Sequence, residues 1–494
     1  MVTSGEVYDS ELAEPERIPP GVRTVETHIS VLYFVDDLVY KTKKPLDFGF
    51  VEFSSRAARY DACRHEVDLN RRLSPDVYLG VREVVVGSGA PEPAVAMRAL
   101  PAEQALACLV GRDDPSLRSV LRELARTLAA FHATCEVHSE ANSPGSYRHV
   151  WDRWHRECAQ LPADGGVMSA SDIAEITRLG TAFLSGRQLL FDERLAAGLS
   201  RDGHGDLQAA DIFVLDDGPR IIDCLEFDSA LRIVDVLSDV AFLAMDLERL
   251  GHPAQAAEFL ADYAEFSAES HPSALLDFFI AYRALIRAKV GSIRLAQGES
   301  EKAPEVRTLV DLCLSHLRRA TIRLVVVGGL PGSGKSTVAE KIARHLDATY
   351  LSSDDIRDEI RARPPHPVPE GWRSGAYAPA AIREVYAELI RRAEVALSRG
   401  CSVVVDASWS QTEHRGAIRS LGRTGHATLS ELCCEVDDVI AATRLERRHD
   451  SNSDADEGVR RQMKAAFAIW PEATRIDNNG TSDAAVTRAL RAIG

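Results

Sequence analysis

The run Gly329-Leu330-Pro331-Gly332-Ser333-Gly334-Lys335-Ser336 constrains the 494-residue chain more than any other feature. It follows the apolar stretch LVVVG and precedes the helical pattern STVAEKIARHL, the setting in which G-x-x-x-x-G-K-[ST] cradles a phosphate. Glycines let the backbone curl until its N–H groups and the helix N-terminus surround an anion. Lys335 then supplies a point charge for a transferring group, and the Ser336 hydroxyl can ligate magnesium. Beyond it, apolar strands (TYLSS, SVVVDAS, TLSELCC) alternate with helical patterns over 380–399 and 437–448, with a proline-rich loop at 363–371. Short apolar strands alternating with helices predict a parallel sheet covered on both faces.

A chain of this length exceeds what one hydrophobic core serves. Before residue 300 the pattern differs. THISVLYFVDDLVYKTKK reads as two strands around Asp36-Asp37, 55–73 as a helix, and VREVVVGSG with AVAMRAL as a further strand pair. Helical patterns follow at 116–133, 170–195 and 232–298. The expected layout is a polar lead-in over 1–24 and a bilobal α+β module over 25–300, its small lobe ending near 100 and its helical lobe covering 101–300. A linker helix within 301–320 then leads to an α/β module over 321–494.

Charge narrows the partners. Residues 321–494 balance 24 basic against 24 acidic side chains, whereas 1–320 hold 34 against 50, so the net charge of −16 belongs to the first module. Such a surface repels phosphate backbones and anionic lipid and would draw in a cationic small molecule. Nine cysteines without a C-x-x-C pair predict reduced thiols rather than a disulfide or zinc framework. Cys224, Cys401, Cys433 and Cys434 sit in or beside core strands, as packing residues. No apolar run reaches the roughly 18 residues of a membrane span, and the first residues lack a signal-peptide layout, which predicts a cytoplasmic protein.

Three features of the α/β module stand where phosphoryl transfer needs an acid at the acceptor and cations over the phosphate. These are Ser353-Asp354-Asp355-Ile356-Arg357 after the second strand, Asp406 ending the third, and Arg444 with Arg448 at i,i+4 on a late helix. Here the sequence resembles the small P-loop kinases related to polynucleotide kinase and gluconate kinase. The resemblance implies a three-layer α/β/α P-loop fold binding ATP through Gly329 to Thr337. It also implies Asp354 as the base, Lys335 at the transferring phosphate, Arg357 on the substrate, and Arg444 and Arg448 as phosphate-clamping lid residues. Without it, Asp354 and Asp355 read equally as residues capping the next helix.

His204-Gly205-Asp206-Leu207-Gln208-Ala209-Ala210-Asp211 precedes the strands FVLDD and RIIDCLEFD, with Asp235 and Asp239 beyond. This resembles the aminoglycoside phosphotransferase and choline kinase branch of the protein-kinase-like fold. By that resemblance Asp206 orients the acceptor hydroxyl, Asp223 holds magnesium, and His204 and Asp239 support the loop. Asp211 stands where the family has a metal-binding Asn; it can still ligate through oxygen but adds charge beside Asp206 and Asp223. In the small lobe, period-two alternation puts Lys41 and Lys43 on one face, and Glu66 falls on the apolar face of the next helix with Ala62, Leu69 and Leu73. A carboxylate facing inward needs a cation, which either lysine can supply. Met97 to Pro101 reads as the hinge between lobes, and Phe131-His132 as core packing.

The expected protein is an ATP- and Mg2+-dependent bifunctional phosphotransferase, each module moving a γ-phosphoryl group to a hydroxyl of a small molecule. One alternative makes the first module a pseudokinase that regulates the second. Another, a nucleic-acid 5′-end kinase, is opposed by the charge balance.

Overall fold

Alternation over Ser30–Val35 and Leu38–Lys43 becomes an antiparallel hairpin turning at Asp36, whose φ of 49° supplies the left-handed residue that a tight turn requires. The structure is a computed structural model and describes residues 14–27, 29–46, 53–162, 166–362, 379–446 and 457–494. The hairpin lies in a six-stranded sheet ordered Glu16–Ile18, Tyr78–Val86, Glu92–Arg98, Leu38–Lys43, Ser30–Val35, Arg23–Glu26. The two edge strands are a departure from the expected lead-in over 1–24. Glu16–Ile18 runs parallel to Tyr78–Val86, and Arg23–Glu26 pairs with Ser30–Val35. With three and four residues, mostly exposed, they carry no alternation from which sequence could read them.

One helix, Arg56–Asn70, crosses this sheet, started by Ser55, whose hydroxyl accepts from the Ala58 N–H. It buries Cys63, Glu66 and Val67 against Val39, Tyr78 and Val95. A second lobe is helical around Val236–Arg249, a helix apolar on almost every side and buried from Val236 to Leu247. Leu117–Thr134, Pro253–Ser267 and Ser273–Ala296 pack against it or one another. The first module is therefore bilobal, a β-rich lobe beside a larger helical one. The helix Ala303–Arg319, read from sequence as a linker, lies along Ser273–Ala296 and buries Val306, Leu309, Val310, Cys313 and Leu317. It belongs to the packing of the helical lobe.

The last module is a five-stranded parallel sheet ordered Thr349–Ser352, Val403–Asp406, Arg323–Gly328, Thr428–Glu435, Thr474–Asp477, with helices on both faces. Its central strand is buried from Leu324 to Gly328. Because the chain leaves that strand first to one side and later to the other, a crevice opens at its carboxyl end, where open α/β sheets bind ligands. The strand Thr474–Asp477 and the terminal helix Ser482–Ile493 lie beyond the elements expected from sequence. The proline-rich 363–371 and Arg448 fall outside the described residues.

The P-loop module docks on the helical lobe. Arg187, fully buried, donates from Nη1 to the carbonyls of Gly186 (2.8 Å) and Gly425 (2.9 Å), and Arg399 pairs with Glu193 at 2.7 Å. Gly186 is obligatory there, because a Cβ would stand 2.6 Å from the Gly425 carbonyl oxygen. Among the described residues no helix is long and apolar enough to cross a membrane. The nine cysteines are unbridged.

Candidate active sites

In the small lobe both lysines reach the same carboxylate. Glu66, fully buried, takes Lys41 Nζ at 2.8 Å on one oxygen and Lys43 Nζ at 2.6 Å on the other. Sequence left the choice open, and the structure separates the two by their second partners. Lys41 continues to Asp223 Oδ1 at 2.6 Å, and Lys43 turns to Glu226 at 2.5 Å. Burial alone would lower the Lys41 pKa, but Asp223, Glu66 and Glu226 outweigh it and hold the ammonium charged. Lys41 thus joins Glu66 to Asp223, and Lys43 joins it to Glu226.

Asp223 adopts a left-handed φ of 62°, a conformation costly for a non-glycine residue. Its neighbours hold it there: the Asp223 N–H donates to Tyr78 Oη (3.1 Å) and the Cys224 N–H to Asn70 Oδ1 (2.8 Å). The loop 203–206 hangs from Asp239, whose oxygens accept the His204 N–H at 2.7 Å and the Gly205 N–H at 2.8 Å. Asp239 also takes His132 Nε2 at 3.1 Å, and His132 Nδ1 meets Tyr263 Oη at 2.8 Å. His132 is thus packed in the core and also fixes the loop anchor. Despite burial, these donors hold the Asp239 carboxyl far below its ordinary range. His204 is fully buried, with Nε2 on the Ile222 carbonyl at 3.1 Å, and burial lowers its pKa so that it stays neutral.

Asp206 and Asp211 face the opposite electrostatics. Burial raises the Asp206 pKa to about 6, with Arg287 opposing and Asp223 adding to the rise. The Asp211 carboxyl is pushed well above its ordinary range by burial and then by Asp223 and Asp206. Hard oxygens with uncompensated charge match what a divalent hard cation binds. Among the described residues no three His, Cys, Asp or Glu side chains converge as a metal cluster. A magnesium ion held by Asp211 and Asp223 would take phosphate oxygens and water as its further ligands, its usual habit.

At the P-loop, Gly332 and Gly334 take φ of 80° and 79°, and a Cβ on Gly334 would stand 2.4 Å from Asn478 Nδ2. Asn478 is buried and donates to the Ser333 carbonyl at 2.7 Å; Arg444 reaches the Asn478 carbonyl at 2.8 Å and the Ser333 carbonyl at 3.5 Å. Arg460, buried on the helix Glu457–Ala466, donates to the Pro331 carbonyl and to Asp438 (3.0 Å). Sequence reasoning missed Asn478 and Arg460, since neither belongs to a spaced motif. The turn Asn478-Asn479-Gly480 after an apolar strand was the available signal for the first.

Asp406 ends its strand buried, with Oδ2 accepting from Tyr350 Oη at 2.9 Å and Oδ1 unpartnered. Burial raises its pKa; Lys335, the Ser336 hydroxyl and Tyr350 lower it, and Asp354 raises it. Lys335, Ser336, Asp354 and Asp406 therefore share one neighbourhood at the sheet's carboxyl edge. The unpartnered Asp406 oxygen beside the Ser336 hydroxyl suits a magnesium ion. Ser352 caps the helix Ser353–Arg361 by accepting from the Asp354 and Asp355 N–H groups, so the capping reading of these two acids does not hold. Asp354 instead pairs with Arg357, one turn on. An open cavity of about 490 Å³ runs from Leu330 and Ser333 to Glu435, Asp438, Arg460 and Asn479, large enough for a nucleoside.

Comparison with known proteins gives three kinds of match. A family model described as an AAA domain covers residues 324–469. The uncharacterized protein Rv2004c of Mycobacterium tuberculosis (strain ATCC 25618 / H37Rv) is 37% identical over 480 residues, 97% of this chain and 96% of that one. An uncharacterized protein of Mycobacterium bovis matches equally. Among solved structures, a choline/ethanolamine kinase family protein from Mesorhizobium loti aligns at 13% identity over 61% of this chain and 93% of that one, TM-score 0.38. The Mycobacterium tuberculosis APS kinase CysC, in complex with AMPPNP and APS, aligns at 20% over 35% and 98%, TM-score 0.26.

Proposed function

This chain belongs to the family of the uncharacterized mycobacterial proteins it matches along nearly its whole length, and we propose that it is a phosphotransferase with two ATP sites on unrelated folds. The observation that carries the reading is the gathering of Asp354 and Asp406 around Lys335 and Ser336, an acceptor-side acid and a metal-side acid at one phosphate loop. A P-loop that only hydrolysed or sensed nucleotide would not need an acid at the start of the next helix.

At this site Asp354 takes the proton of the acceptor hydroxyl as its oxygen attacks the γ-phosphorus. The β–γ bridging P–O bond breaks and ADP leaves, while Lys335 offsets charge on the phosphates. Arg357 orients Asp354 and the acceptor. Arg444, Arg460 and Asn478 brace the loop through its carbonyls and so do not compete with phosphate for its N–H groups. In the first module Asp206 has the base role and Lys41, held by Glu66, contacts phosphate. Ser336 with Asp406, and Asp211 with Asp223, would hold magnesium, which offsets phosphate charge when bound.

One observation favours a regulatory first module. Asp211 crowds a third carboxyl beside Asp206 and Asp223. The intact Lys41–Glu66 pair and the anchored loop favour turnover.

The test incubates wild type, Lys335→Ala and Asp206→Asn with γ-labelled ATP, Mg2+ and fractionated metabolites. Two labelled products, each lost in a different variant, are expected. Full turnover in Lys335→Ala would overturn the P-loop assignment. An unchanged product profile in Asp206→Asn would make the first module regulatory.

A further inference from the structure

We propose that the acceptor phosphorylated at the Asp206 site carries an anionic group, recognised by Arg283 and Arg287 of the helical lobe. This rests on the kinase reading of that site and adds the charge class of its substrate.

Arg283 lies on the helix Ser273–Ala296 and is 5% exposed. Its Nε donates to the Ser238 carbonyl at 3.0 Å and its Nη1 to the Gly205 carbonyl at 3.3 Å, which puts the guanidinium against the residue preceding Asp206. Its Nη2 is buried without a partner, and its plane lies 5.0 Å from the Phe242 ring centroid. Arg287 follows at i+4, on the same face. It is half-buried, and its charge acts on the carboxyls of both Asp206 and Asp211.

Neither makes an ion pair with a carboxylate among the described residues. Of the other buried arginines of the same lobe, Arg194 holds Asp235 and Glu269 and Arg232 holds Asp202, while Arg153 and Arg187 rest on backbone carbonyls. Buried cations are normally paired, and carbonyl dipoles leave most of a guanidinium's charge uncompensated. The carboxylates they act on have other duties, because Asp211 is placed for the metal and Asp206 is the base. Glu305, also within the field of Arg287, is shared with Lys302 and Arg249. A phosphate or carboxylate on the acceptor, beyond the hydroxyl that meets Asp206, satisfies the cluster in the geometry arginine favours. The overall acidity of the first module points to a cationic acceptor, but local fields at a few ångströms outweigh a distant, screened surface charge.

The test uses the full chain carrying Lys335→Ala, which silences the other site. A bacterial metabolite extract is split by ion exchange at neutral pH, and each fraction is incubated with γ-labelled ATP, with and without Asp206→Asn. Asp206-dependent label is expected from the anion-exchange-retained fraction. Arg287→Met should raise the KM of the acceptor recovered from it at least tenfold, change the ATP KM less than twofold, and be partly rescued by Arg287→Lys. Asp206-dependent label arising from the cation-retained or unretained fractions instead overturns the proposal. If no fraction gives such label, the kinase reading of this site fails, and calorimetric titration with inorganic sulfate decides the anion site separately. A tenfold weaker affinity after Arg287→Met sustains it, and equal affinity overturns it.

Discussion

Asp239→Asn separates loop support from chemistry, since Asp239 is buried below the loop and bonds to its backbone. In wild type its two oxygens serve the His204 N–H, the Gly205 N–H and His132. Asparagine retains one acceptor oxygen, so one buried N–H faces an amide NH2 and the other loses a charged acceptor. A charge-assisted bond exchanged for an unsatisfied buried donor costs about 2–4 kcal/mol. Through about 1.36 kcal/mol per factor of ten, that is roughly 30- to 900-fold faster opening of the loop. Amide hydrogen exchange at His204 and Gly205 reads this directly, alongside urea unfolding. Nucleotide binding at the P-loop should not change, an internal control. The stabilisation by a carboxyl whose folded pKa is depressed is present above its unfolded value near ~3.8 and is lost as pH falls below it. The difference between wild type and variant should therefore hold at pH 7 and shrink in acid. Exchange within threefold of wild type, with unchanged unfolding, would refute the assignment of Asp239 as the loop's anchor.

Glu66→Gln leaves two buried lysines each short of a carboxylate and should destabilise the small lobe by about 3–5 kcal/mol, read by denaturant unfolding. His316, buried between Asp277 (2.6 Å) and Glu248 (2.9 Å), has its pKa raised by both acids against the effect of burial. Its contribution is full below about 6.5 and is lost as pH rises through the folded value, so above that pH wild type should lose more stability on alkalinisation than His316→Gln does. Asp206 titrates near 6, so Asp206-dependent transfer should rise with pH through that value, and a flat profile from pH 5 to 8 would remove it as the base. The folded state binds the Asp206 proton more tightly than the unfolded state. Stability therefore falls as pH climbs from about 3.8 to about 6, and Asp206→Asn should make that slope shallower, with the slope from Asp211 remaining.

Sequence by itself determined the parts whose cause is local. The glycines and Lys-Ser of 329–336 dictate a phosphate loop, apolar runs dictate buried parallel strands, and inward spacing put Glu66 on the apolar face. Period-two alternation put Lys41 and Lys43 on one side but could not rank them, because their difference lies in Asp223 and Glu226, some 180 residues away. The edge strands Glu16–Ile18 and Arg23–Glu26 have almost no pattern of their own; pairing with longer strands makes them. Tertiary structure alone decided that Asp239 and His132 hang the loop, that Asn478 and Arg460 brace the P-loop, and that the helix Ala303–Arg319 joins the core. It also decided that Arg283 and Arg287, on one helix, stand near Asp206. Charge composition pointed the other way, since a net charge sums over the whole surface whereas recognition depends on the few groups within a Debye length of the ligand.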